Sequence, residues 1–108
     1  MATSRELLTI HAEILGADPS IWRLVEVDST LPLDRFHKVL QEAFGWDGYH
    51  LHLFMDRSPD EDVRRALRVV PRTWLMESSI DEGLEGFPEE EETVGGALSI
   101  GQGNLYYE

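Results

Sequence analysis

The chain has 108 residues, 42% of them hydrophobic, and its 21 acidic residues against nine basic ones give a formal net charge of −12. This length suits one compact domain with its own core. The absence of cysteine excludes disulfides and thiolate chemistry, and the acidic excess argues against a surface that binds nucleic-acid phosphates. No apolar run reaches the roughly 20 residues of a membrane span or the 7–15 or so of a secretory signal. We therefore expect a cytoplasmic protein.

The first 28 residues contain two runs in which apolar and polar residues alternate. In residues 6–15, Ile10 and its apolar neighbours two positions away alternate with Thr9, His11 and Glu13. Residues 21–28 alternate again, after a turn-forming segment with glycine and proline at 16–20. The pattern predicts two strands, either as a hairpin or in parallel.

The strongest helical pattern covers residues 32–44. Five apolar side chains recur there at helical spacing: Leu33, Phe36, Leu40, Ala43 and Phe44. Pro32 suits the first turn of a helix. Gly45 stands where a helix often ends in a left-handed residue, and Trp46 is placed to pack back on the last turn.

The second half of the chain has shorter and less regular patterns. The alternation of residues 49–55 predicts a third strand, the pattern of residues 58–70 predicts a capped helix, and residues 72–76 predict a brief strand. The eight acids and no bases of residues 77–92 predict a flexible acidic loop. Gly95 and Gly96 argue against a regular helix over 93–98, and residues 105–107 predict a final strand.

This order predicts a small α+β domain spanning residues 1–108, with a β-grasp-like mixed sheet and one main helix packed on one face. A strand at the end of the sequence leaves a sheet edge that must be paired, covered or charged. We therefore expect a protein partner, a homodimer or a missing C-terminal strand to complete the sheet. The sequence predicts no membrane partner and disfavours a nucleic-acid partner.

Three histidines form the main candidate site. His50 and His52 lie two residues apart and would point to one face of a strand, as metal ligands can. His37 would approach them if its helix packed on that face. The alternative, which we favour, is that each histidine borders the core and makes one hydrogen bond. No cofactor is thus predicted, and a divalent metal is the alternative.

The arginines offer two further candidates. Arg23, placed with the histidines in a polar cluster, could recognise an anion, although pairing with a carboxylate such as Glu26 is the simpler interpretation. A second group forms the one basic patch of the sequence: Arg64, Arg65, Arg68 and Arg72. Because acids precede this patch by one turn, an ion-pair surface is a better interpretation than a nucleic-acid contact.

Several short motifs together resemble one known family. They are the proline-led Ile21-Trp22-Arg23 strand, the phenylalanine-glycine-tryptophan step at 44–46, and the histidine-leucine-histidine strand at 50–52 with Phe54. In combination they are similar to the plasmid pRiA4b ORF-3-like protein family. The resemblance implies no established catalytic residues, because the family's activity is uncharacterised. The family's final strand usually continues into a tyrosine-aspartate-phenylalanine-glycine-aspartate run, so the resemblance implies that this domain is incomplete at its C-terminus.

Three functions follow as hypotheses. The first is a non-enzymatic protein-binding module of plasmid or mobile-element origin, acting through its acidic surface or open sheet edge. The second is a metal-dependent hydrolase-like site at His37, His50 and His52. The third is an accessory DNA-binding role that uses the basic patch.

Overall fold

A computed structural model describes residues 6–46, 52–56 and 72–107. In chain order the described elements are β1 (Leu7–Glu13), β2 (Trp22–Asp28), α1 (Leu33–Phe44), β3 (Leu53–Met55), β4 (Thr73–Leu75), α2 (Glu77–Asp81), β5 (Phe87–Pro88), a 3₁₀ turn (Glu89–Glu91), α3 (Val94–Ile100) and β6 (Tyr106–Tyr107). The predicted helix at 58–70 and the first part of the predicted strand at 49–55 lie outside the described residues. None of the described helices is long and apolar enough to cross a membrane.

The first two strands form an antiparallel hairpin, one of the two arrangements that the sequence allows. Val25 and Val27 of β2 are buried, whereas Trp22 and Leu24 are exposed on the other face. On β1, Ile10 and Ala12 pack against the core cluster. The alternation in the sequence thus correctly separates the core face of the hairpin from its outer face.

Helix α1 is the element that the sequence predicts best. Leu33, Phe36 and Leu40 are almost fully buried along one stripe, and the helix begins directly after Pro32. At its other end Gly45 adopts a φ of 72°, and the Trp46 amide donates to the Gln41 carbonyl at 2.8 Å. The Trp46 ring stacks on Phe44 with 5.0 Å between centroids. Local capping chemistry therefore fixes this helix end.

The remaining strands form a separate four-stranded sheet in the order β5-β4-β3-β6. It is mixed, because β4 and β5 are parallel and the other pairs are antiparallel. The α+β class is confirmed, but the described residues form two sheets instead of one grasp-like sheet. Within these residues β1 pairs only with β2, so the hairpin joins the rest through side chains packed on α1.

The acidic segment 77–92 is more structured than a loop. It contains α2, β5 and a 3₁₀ turn, and Glu89 at the start of that turn is only 5% exposed. Five of its acids remain on the surface: Asp81, Glu82, Glu85, Glu90 and Glu91. The charge run therefore combines a solvated face with one carboxylate that is directed inward.

Helix α3 forms despite its glycine pair. The Thr93 hydroxyl caps it by accepting from the Gly96 amide at 3.0 Å. A Cβ at Gly95 would lie 2.9 Å from the Ser29 carbonyl oxygen, and the Gly95 amide donates to that same oxygen. Glycine is thus needed for the close approach of α3 to the segment before α1, which outweighs its low helix propensity.

Candidate functional site

His37 of α1 and His52, just before β3, stack face to face in the interior. Their ring centroids lie 3.6 Å apart, their planes differ by 6°, and both residues are 8% exposed. Lone pairs of imidazole nitrogens lie in the ring plane, so two parallel rings at this spacing do not direct them to one point. The pair as it stands therefore offers no shared metal-coordination position.

The Tyr107 hydroxyl joins this pair to the last strand. It lies 2.5 Å from His37 Nδ1 and accepts a hydrogen bond from Gln41 Nε2 at 2.7 Å. With one lone pair engaged by Gln41, the hydroxyl proton is available for His37 Nδ1, which would then be the acceptor nitrogen. This contact fixes β6 against α1.

Glu89, at the start of the 3₁₀ turn, contacts the second histidine, His52. Its Oε2 lies 2.6 Å from His52 Nε2, and both side chains are about 5% exposed. The carboxylate accepts from Nε2–H, whereas His52 Nδ1 is buried without a hydrogen-bond partner in the described structure. A carboxylate that orients a histidine is a common arrangement around a general base, but here no described hydroxyl or thiol meets the other ring nitrogen.

These five residues, His37, Gln41, His52, Glu89 and Tyr107, are called the histidine cluster below. They connect α1, the start of β3, the 3₁₀ turn and β6. Among the described residues, no group of three or more His, Cys, Asp or Glu side chains could hold a metal ion. His50 lies outside those residues, so the three-histidine metal site stays a prediction.

The Tyr107 hydroxyl has a raised pKa. Burial is the main cause, the nearby negative charge of Glu89 acts in the same direction, and the hydrogen bond from Gln41 opposes both. The neutral phenol is thus the form that the folded protein stabilises.

This raised pKa predicts a loss of stability at alkaline pH. Unfolded tyrosine ionises at about pH 10, whereas folded Tyr107 keeps its proton to a higher pH. The free energy of unfolding therefore falls as the pH rises past about 10. Tyr107→Phe is expected to cost about 1–3 kcal/mol at pH 7, because His37 and Gln41 each lose a partner. Urea unfolding should show this difference shrinking as the pH rises above about 10, the pKa of unfolded tyrosine. Tyr106→Phe is the matched control, and an equal shrinkage there would contradict the assignment.

Two of the candidate arginines, Arg23 and Arg72, belong to the described residues and lie apart from the cluster. Arg23 donates to the carbonyls of Ala43 at 3.2 Å and Trp22 at 2.8 Å, and its guanidinium lies over the Phe44 ring. It thus binds the C-terminal end of α1 and makes no ion pair with Glu26, so that expectation is wrong. Arg72 stacks over Phe87 at 4.3 Å from the ring centroid. The other three arginines of the basic patch lie outside the described residues.

Sequence reasoning missed three members of the histidine cluster. Gln41 carried a usable signal, because it lies one helical turn after His37 on the same face of α1. The sequence pattern indicates only that Tyr107 lies in a strand, and that Glu89 is one of the eight acids of residues 77–92. No local pattern distinguishes the acid that becomes buried, because its partner His52 lies 37 positions earlier.

An apolar groove of about 780 Å³ lies beside the cluster. Strand β1 lines it together with the segment 103–107 that includes β6, and side chains from α1 and the second sheet contribute Phe36, Leu40, Phe44 and Phe54. Tyr107 belongs both to the groove lining and to the histidine cluster. The buried hydrogen bonds therefore position one boundary of the groove.

The backbone of β1 presents unused hydrogen-bonding groups along this groove. Ile14 donates to the Ile21 carbonyl and Ser29 donates to the Glu6 carbonyl, which fixes the even-numbered residues of β1 as those bonded to β2. The N–H and C=O groups of Thr9, His11 and Glu13 consequently point away from β2. All three residues line the groove, and β1 has no second strand partner in the described part of the chain.

Comparison with known proteins identifies one family and two similar proteins, whose descriptions state no function. The family described as plasmid pRiA4b ORF-3-like protein matches residues 6–104. An uncharacterized protein, y4hQ, from Sinorhizobium fredii is 35% identical over 75 residues, covering 65% of this chain and 39% of its own length. The crystal structure of a protein of unknown function, MM3350, from Methanosarcina mazei Go1 has a TM-score of 0.62 at 24% identity, covering 87% of this chain and 47% of that one. The chain thus spans less than half the length of either relative, and the second likeness supports the fold alone.

Proposed function

We propose that this chain, which belongs to the plasmid pRiA4b ORF-3-like protein family, is a protein-binding module that adds an extended segment of its partner to the open edge of β1. The observation that carries the proposal is the row of outward-pointing backbone groups at Thr9, His11 and Glu13 along an apolar groove. A cytoplasmic location and a plasmid or mobile-element origin belong to the same proposal.

Strand addition fits both components of the groove. Backbone groups of β1 supply hydrogen bonds that any peptide can complete, and the apolar side chains receive alternate residues of the added strand. An exposed strand edge is a template for pairing unless it is blocked. Here the edge has no proline, and Thr9 and Glu13 keep their side chains on the solvent-exposed outer face of the hairpin.

Selection from a displayed library of random ten-residue peptides tests this proposal. We expect selected peptides to bind the wild-type protein and to slow hydrogen exchange at the amides of Thr9, His11 and Glu13. Thr9→Pro should weaken binding roughly tenfold or more, because it removes an outward N–H and places a ring on the edge. It breaks no bond to β2, since the Thr9 amide points away from that strand.

Thr9→Val is the matched control because it keeps the amide and the β-branched shape. The proposal is wrong if selected peptides bind Thr9→Pro as tightly as Thr9→Val while both variants stay folded by circular dichroism. Should Thr9→Pro unfold, peptides N-methylated at alternate residues answer the same question with the wild-type protein. Undiminished binding of those peptides would also contradict strand addition.

The DNA-binding and metal-hydrolase alternatives remain predictions. The first depends on Arg64, Arg65 and Arg68 and the second on His50, all outside the described residues. A salt-dependent shift of DNA mobility, or metal that copurifies and is lost with His50→Ala, would favour one of them over the protein-binding proposal.

A further inference from the structure

The geometry points to a basic, extended peptide with apolar residues at alternate positions as the occupant of the groove, an inference that rests on the proposed function. Two features of the described residues support it independently: the apolar character of one side of the groove, and the distribution of charge around it.

The apolar side determines the spacing of the partner's residues. Phe44 at the end of α1 and the following Trp46 line the groove with rings that are partly exposed, and the buried Phe36 and Leu40 of α1 also border it. Side chains of a strand alternate between its two faces, so a strand lying along β1 would direct every second residue towards these rings and the others to solvent. The partner therefore needs apolar residues at every second position only.

Charge determines the character of the remaining positions. Among the described residues that line the groove there is no lysine or arginine, and Glu13 is the one acidic side chain. It is half exposed and lies 3.0 Å from the neighbouring His11 ring. The nearest arginine of the hairpin, Arg23, is engaged with the carbonyls of Trp22 and Ala43. A lysine or arginine on the solvent side of the added strand would thus meet the Glu13 carboxylate, with no lysine or arginine among the described lining residues to repel it.

The net charge of the whole chain favours the same partner. At −12 over 108 residues, the protein attracts a basic segment at long range and raises its rate of association. A second copy of this chain would carry the same charge and be repelled. The acidic surface therefore selects a basic partner against self-association through β1.

Two synthetic ten-residue peptides test the inference by fluorescence anisotropy. One alternates lysine with valine and the other alternates glutamate with valine, so they share apolar spacing and differ in the sign of charge. We expect the lysine peptide to bind at least about tenfold more tightly at 50 mM salt and to lose most of that advantage at 500 mM, where surface charges are screened. It should also lose affinity with Thr9→Pro and keep it with Thr9→Val.

A pair of charge variants locates the effect. Glu13→Gln should weaken the lysine peptide about two- to fivefold, as expected for a partly exposed ion pair. Glu85→Gln removes the same charge from an exposed residue outside the groove lining and should change the affinity by less than about 1.5-fold. Equal effects of the two variants would show that only the overall charge matters and would overturn the assignment to the groove.

The remaining outcomes separate this inference from the proposed function. If the glutamate peptide binds as tightly as the lysine peptide and both respond to Thr9→Pro, the charge inference is wrong and strand addition stands. If neither peptide binds at 1 mM while library peptides do, the inference of a basic partner is again wrong and strand addition still stands. A dimer by light scattering that Thr9→Pro dissociates would identify a second copy as the occupant and contradict the basic partner.

Discussion

Replacing Glu89 by alanine is expected to lower the free energy of unfolding by about 3–5 kcal/mol. The carboxylate is 2.6 Å from His52 Nε2, and both side chains are almost completely buried. Alanine would leave the Nε2–H without an acceptor and open a cavity beside it, and each of these effects is costly in a closed interior. Because His52 also stacks on His37, removing Glu89 should also disturb His37, whose ring hydrogen-bonds Tyr107 of β6.

Two controls make this result specific to Glu89. Glu89→Gln retains a carbonyl oxygen that can accept from His52 and should cost only about 1 kcal/mol. Glu90→Ala removes the exposed neighbour in the same 3₁₀ turn and should change stability by about 0.5 kcal/mol or less. Urea unfolding at pH 7 measures all three variants. A loss in Glu89→Ala no larger than in Glu90→Ala would mean that the buried pair does not hold the cluster together.

The same change should affect the groove through β6. Tyr107 lines the groove while its hydroxyl contacts His37 and Gln41, so the cluster anchors one boundary of the proposed binding surface. The open edge of β1 lies on the hairpin, and none of its residues belongs to the histidine cluster. Peptide binding that falls in Glu89→Ala but stays in Glu90→Ala, at a temperature where both variants are folded, would show that β6 takes part in binding.

Elements defined by local chemistry were predictable from the sequence. The stripe at Leu33, Phe36 and Leu40 and the stop at Gly45 are properties of adjacent residues, and the structure confirms both. The alternation of β1 likewise separated its core-facing residues from the exposed Thr9, His11 and Glu13. In each case the residues that determine the element lie within a few positions of one another.

Features that depend on distant pairing were not predictable in this way. The glycines of α3 disfavour a helix locally, yet Gly95 packs against Ser29, far earlier in the chain. Glu89 has the same sequence surroundings as its exposed neighbours and is distinguished only by the placement of His52. The division into two sheets has the same origin, because periodicity identifies strands but not which strand edges meet.

Replacing Phe54 by alanine is the second change for which we expect a loss of about 3–5 kcal/mol. Phe54 of β3 is fully buried, and its ring lies 6.0 Å from the Phe36 ring and 5.0 Å from the Tyr107 ring, centroid to centroid. Its ring also lies nearly perpendicular to the His52 ring, with 6.0 Å between centroids, and Phe54 lines the groove as well. Alanine would remove the packing that both features share.

The position of the ring, and not its size alone, should determine this cost. Phe54→Leu keeps most of the buried volume and is expected to cost about 1.5 kcal/mol or less. Phe87→Ala removes an equal ring from β5 that is 48% exposed and, among the described residues, stacks with Arg72 alone, so it should cost less than about 1 kcal/mol. If Phe54→Ala were no more destabilising than Phe87→Ala, β3 would not be the common support of the cluster and the groove. If Phe54→Ala is the more destabilising of the two, the stable Phe54→Leu variant can be used for binding. Its affinity for the peptide then measures the effect of groove shape separately from that of fold stability.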